Sequence, residues 1–115
     1  MRTREDVLSE LALGGERRFD EVYAWSSSPA AELDQQSLAL VRLAALLAID
    51  APVASLGSVV TSAQLAGLSA DALVRCLVAL VPVIGMPRVV AVTPKLALTL
   101  GFDVDAALEA IPAPR

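Results

Sequence analysis

The sequence predicts an all-α fold: a compact helical domain of about six helices, spanning residues 1–115 as a single domain and assembling with copies of itself. Three observations carry this expectation. Capping residues stand just ahead of apolar stretches at Thr3, Asp34 and Ser69; Gly67 and Gly101 fall where such stretches end; and the stretches repeat leucine, alanine and valine at helical spacing. A chain of 115 residues buries roughly 65% of its unfolded surface, enough to fold without disulfide or metal staples.

Thr3 followed by Asp6 has the form of a capping box, with Val7, Leu8 and Leu11 on one helical face and Gly14-Gly15 as a stop. In "ERRFDEVYAW", Phe19, Val22 and Tyr23 again fall at helical spacing. Together with Trp25 these aromatics read first as core anchors, Trp25 also being a candidate ligand contact, and "SSSPAAE" reads as a loop. Asp34 caps Gln35 to Ile49, whose body "LALVRLAALLAI" is apolar on nearly every side except Arg42, as in a helix buried centrally or within an assembly. A lone arginine in that setting must reach a carboxylate, an anionic ligand or solvent; Asp71 is the acid expected to pair with it.

Asp50 and Pro52 supply the next start signal. The helix that follows carries Val53, Leu56 and Val60 on one stripe and Ser55, Ser58 and Ser62 on another, the serines forming either a close-approach surface or a solvated face. Gly67 stops this helix, Ser69 caps the next, and Asp71 and Arg75 sit four apart as its charged pair. Cys76 reads as a small buried hydrophobe.

"ALVPVIGMPRVV", from Ala79 to Val90, admits a membrane segment, a buried strand or a broken helix. A membrane span needs about 20 apolar residues, whereas the apolar run from Cys76 to Pro87 is twelve residues long and is closed by Arg75 and Arg88. Pro82, Gly85 and Pro87 together rule against a straight helix, leaving a bend between two buried helices. "RVVAVT" has strand-like β-branched density, but Pro94 and the spacing of Lys95, Leu96 and Leu98 favour helix resuming to Gly101; residues 88–93 stay open between the two. A short helix from Asp103 to about Ala110 then precedes the tail "IPAPR". "ALVR" occurs at Ala39 to Arg42 and again at Ala72 to Arg75, which in so Ala- and Leu-rich a chain is coincidence more readily than duplication.

Composition narrows the function classes. Hydrophobic residues make up 56% of the chain and mean hydropathy is +0.63, more apolar surface than a monomer of this size has a use for, so some of it should meet another chain. There is no histidine, which removes the commonest general base near neutral pH and the commonest metal ligand. Cys76 is the single cysteine, so no intrachain disulfide, dithiol redox pair or cysteine-built zinc site can form. With a net charge of −4 and Lys95 as the only lysine, nucleic-acid binding has little electrostatic support. The N-terminal residues lack the apolar core of a secretory signal, and a cytoplasmic protein without cofactor is expected.

The ordered signals in "YAWSSSPAAELDQQSLALVRLAALLAI" and "LAGLSADALVRCLVALVPVIGMP" resemble those of the carboxymuconolactone decarboxylase family, related to the D-type alkylhydroperoxidases. Leu33-Asp34, Gly67 and the Pro82/Gly85/Pro87 bend carry most of the resemblance, which covers about Phe19 to Gly101. It implies long helices packed into a homotrimer or homohexamer, with pockets near subunit contacts for an apolar small molecule. It also implies a degenerate site: the position of the family's proton-transferring histidine falls on Val59, that of its glutamate on Ala39 with the adjoining arginine on Leu38, and that of a frequent tyrosine on Val83.

Lactone decarboxylation needs a proton shuttle and an enolate-stabilising donor, which Val and Ala lack, and the peroxidase relatives need two cysteines. The expected function is therefore a non-catalytic oligomeric binding or scaffold protein. The alternative is an enzyme with rewired lactone-acting or decarboxylating chemistry, using Arg42 with carboxylates such as Glu32, Asp34 or Asp50.

Overall fold

In the computed structural model, residues 3–13 and 33–102 are described, and every regular element among them is an α-helix. The helices are α1 (Arg4–Ala12), α2 (Gln35–Ala48), α3 (Val53–Leu65), α4 (Ala70–Ile84) and α5 (Met86–Thr99). Contacts divide the chain into two units, Met1–Leu33 and Asp34–Arg115. The helices expected around Phe19 to Tyr23 and from Asp103 to Ala110 lie outside the described residues.

In the first unit, α1 starts from the expected capping box. The Thr3 hydroxyl accepts from the Asp6 N–H at 3.1 Å, and the Asp6 carboxylate accepts from the Thr3 N–H at 3.2 Å. Two of the amides that every helix start leaves without intrahelical partners are thereby satisfied.

The described residues of the second unit form a ring of four helices. α2 and α5 occupy opposite corners, each packing along both α3 and α4, with a smaller contact to one another across the core. The core is wholly aliphatic, formed by Ala39, Leu43 and Leu47 of α2, Leu56, Val60 and Ala63 of α3, Leu73 and Leu77 of α4, and Val89, Val92 and Leu96 of α5. Spacings of three and four put each set on one helical stripe. The two "ALVR" segments sit in different phases of this pattern, because Ala39 is buried in the first copy and Leu73, the second residue, in the other. Ser55, Ser58 and Ser62 are exposed, which makes the serine stripe a solvated face.

The chain break between α4 and α5 is narrower than the sequence suggests. Helix α4 continues through Pro82 to Ile84, and α5 resumes at Met86, so Gly85 alone separates them. Pro82 lies in the last turn, where the intrahelical bond it cannot make to the Val78 carbonyl is one of few still to be formed. Gly85 has φ 88° and ψ 151°, a backbone region essentially restricted to glycine. Pro87 stands in the first turn of α5, where its missing N–H costs no intrahelical bond. Residues 88–93 are helical, and Pro94 is accommodated within α5 while the Thr93 hydroxyl donates back to the Val89 carbonyl at 2.6 Å.

A Cβ added at Gly85 would meet only Pro87 Cδ at 3.9 Å, so any penalty there comes from the backbone angles and not from crowding. Gly85→Ala is expected to lower unfolding free energy by about 1–3 kcal/mol. Leu73, fully buried, is expected to cost about 2–5 kcal/mol as Leu73→Ala. Urea unfolding followed by circular dichroism checks both; a Gly85→Ala midpoint equal to that of the parent would show that the hinge angles are not under strain with a side chain.

Candidate functional site

The three positions at which the resemblance implies lost catalytic groups do not form a polar site. Ala39 is buried in the α2 core stripe, Val59 is half-buried on α3 against the same core, and Val83 is 75% exposed near the end of α4. Among the described residues no polar or charged side chain is buried and no three of His, Cys, Asp and Glu are gathered as a metal would need. Proton transfer requires a titratable group within hydrogen-bond reach of the reacting atom, and this core presents only methyl and methylene groups.

Arg42 is exposed on α2. Asp71, the acid expected beside it, instead accepts from Arg75 Nε at 2.8 Å within α4, an interaction that raises the Arg75 pKa. Trp25 and Glu32 lie outside the described residues. The remaining nominated carboxylates serve the two ends of α2. Asp34 caps the start, accepting from the Ser37 N–H at 2.7 Å and from the Ser37 hydroxyl at 2.9 Å. Those bonds, the backbone one first, hold its carboxyl below the ordinary value. Asp50 stands beyond the other end, about 24 Å away along the axis at 1.5 Å per residue. Paired-carboxylate chemistry works over about 5–10 Å, so Asp34 and Asp50 cannot act on one substrate.

The polar junction that the structure does build was not foreseen from sequence. Lys95 of α5 reaches the turn between α2 and α3, where its ammonium donates to Asp50 Oδ1 at 2.7 Å, to the Ala51 carbonyl at 3.3 Å and to the Asp50 carbonyl at 3.4 Å. Asp50 was expected to start α3. It instead takes a left-handed conformation, φ 55°, just past the end of α2, and Pro52 occupies the N-cap of α3 without a side-chain bond. A singular lysine and an acid directly after an apolar helix are visible in the sequence; their meeting depends on the ring packing of the four helices. A second long-range bond closes the other end of α3, where Gln36 Nε2 donates to the Ala66 carbonyl at 3.0 Å.

Cys76 is half-buried against the core, and this burial raises its thiol pKa. A nucleophilic or redox thiol needs the opposite shift. The stability linked to the neutral thiol is full below the thiol's unfolded-state pKa and is lost as pH rises through the higher folded one. Alkylation of Cys76 is therefore expected to be slower than that of a free thiol at pH 7–8 and to accelerate on denaturation. Iodoacetamide labelling followed by mass spectrometry checks this, and a native rate above that of the unfolded chain would identify an activated thiol.

No protein-family model, curated protein or solved structure matches the chain significantly.

Proposed function

We propose that this chain is a non-catalytic helical module, of the carboxymuconolactone decarboxylase-like kind, that works by associating with further copies of itself. The observation that supports this reading is the apolar surface on α4 and α5. Val78 is 62% exposed and Val90 58% exposed, with Val74, Val83, Met86 and Leu98 also exposed on the same two helices. Val74 and Val78 lie one turn apart on α4, as do Val90 and Pro94 on α5, while the core residues of both helices point inward. Apolar surface of this extent on a small domain marks a contact face.

The occupant best suited to it is a second copy. These side chains are valine, leucine and methionine, with no aromatic anchor of the kind that dominates contacts with unlike partners among them. Aliphatic surfaces on two helices of one chain can meet head to tail and close into a ring, and obligate homo-oligomer contacts resemble a domain core cut in two. A scaffold role follows, since the interior offers no group for proton transfer or metal binding among the described residues.

Light scattering is expected to give a mass of at least three chains. Val78→Glu combined with Val90→Glu is expected to reduce that mass to one 11.9 kDa chain while leaving the helical circular dichroism intact. A parent protein that is monomeric at micromolar concentration would overturn the reading. The same preparation is expected to show no turnover of a carboxymuconolactone-type substrate; turnover abolished by Arg42→Ala would establish an enzyme instead.

A further inference from the structure

Three of the four described helices of the second unit end in the same turn. After α3, the Gly67 N–H donates to the Gln64 carbonyl and the Leu68 N–H to the Ala63 carbonyl; after α5, the Gly101 N–H donates to Leu98 and the Phe102 N–H to Ala97. These are Schellman motifs, with glycine in the left-handed position at φ 96° and 80°. After α2 the same pair of bonds runs from the Asp50 N–H to Leu47 and from the Ala51 N–H to Leu46, but the left-handed residue is Asp50. A residue with a Cβ is disfavoured there relative to glycine. What Asp50 gains in return is Lys95, whose ammonium bonds both its carboxylate and the two carbonyls of the turn.

We propose that Asp50 and Lys95 form a charge-dependent latch, which holds the α2–α3 turn closed on α5 and makes that turn the place where the bundle opens when the lysine charge is lost or screened. The turn is held from two sides. Its backbone bonds keep the left-handed residue in place, and the ammonium gathers three oxygens of Asp50 and Ala51 that would otherwise face solvent or each other. The Lys95 side chain is 32% exposed and the Asp50 side chain 60% exposed, so the junction lies within reach of salt and of reagents, while Ala51 beneath it is buried. Lys95 is the single lysine of the chain, so a change at a lysine side chain acts on this junction and no other. The geometry does not depend on the proposed self-association.

The molecule contains its own control, because the turn after α3 has the same backbone bonds without a lysine. Amide hydrogen exchange of the full chain would compare Ala51 with Leu68. Lys95→Met is expected to speed Ala51 exchange about tenfold while leaving Leu68 unchanged, the pattern of local opening. Lys95→Met combined with Asp50→Asn is expected to add little to Lys95→Met alone, since the two side chains act as one contact. In the parent protein, raising salt from about 0.05 to 1 M is expected to raise the ratio of Ala51 to Leu68 exchange, a measurement that needs no variant to fold. Equal changes at both amides, no change at Ala51, or fully multiplicative effects of the two substitutions would each overturn the latch.

Discussion

The constraint on which this bundle depends is the disposal of backbone polar groups at helix ends packed into very short connections. Each helix leaves its last carbonyls without intrahelical donors, and the links between α2 and α3 and between α3 and α4 are four residues long, while Gly85 alone joins α4 to α5. Left-handed turns meet this requirement after α2, α3 and α5 by folding two later amides back onto the helix. The Gln36 side chain adds a bond to Ala66, and Lys95 adds bonds to Asp50 and Ala51. With the ends satisfied in so few residues, consecutive helices turn back sharply and their aliphatic stripes meet in one core.

That core also decides where the polar groups of the described residues lie. Among the described residues its buried side chains are leucine, valine and alanine, and such side chains interdigitate without leaving a buried polar atom to be satisfied. The polar groups are spent at the periphery: Thr3, Asp34 and Ser69 on helix starts, Asp71 and Arg75 on one another, and Asp50 and Lys95 on a turn. Ligand and metal sites of helix bundles are built from side chains projecting inward from facing helices. Here the inward positions Ala39 and Val59 are aliphatic, and Val83 does not face inward at all. The aliphatic interior and the peripheral placing of the polar groups are thus two aspects of one residue pattern.

Much of the fold was legible in the sequence because its determinants are local. A hydroxyl or carboxylate at an N-cap acts within three residues, so Thr3, Asp34 and Ser69 could be placed correctly from neighbours alone. Glycine's freedom at positive φ likewise made Gly67 readable as a stop. The errors came where one residue type suits two environments. Asp50 resembles an N-cap and functions as a left-handed residue at a helix end, because the deciding partner, Lys95, lies 45 residues away. Pro82 resembles a helix breaker, yet in a final turn its missing donor removes little. For "RVVAVT", β-branched density pointed to strand and spacing to helix; the aliphatic stripe Val89, Val92 and Leu96 decided in favour of helix through tertiary packing.

The candidate site was less legible than the fold, for a related physical reason. Periodicity shows which residues can share a helical face but not how many faces the rest of the chain covers. In α2 the apolar run, broken only by Arg42, was read as buried centrally or within an assembly; within the chain Ala39, Leu43 and Leu47 are buried while Val41 is exposed. In α4, Leu73 and Leu77 are buried while Val74 and Val78, one position further on, are exposed. A rotation of about 100° per residue therefore separates the side chains that pack within the unit from those left exposed. The abundance of apolar residues is evident from composition, but its distribution depends on the packing of the four described helices: one stripe of α4 and of α5 fills the centre while Val78 and Val90 on the same helices stay exposed.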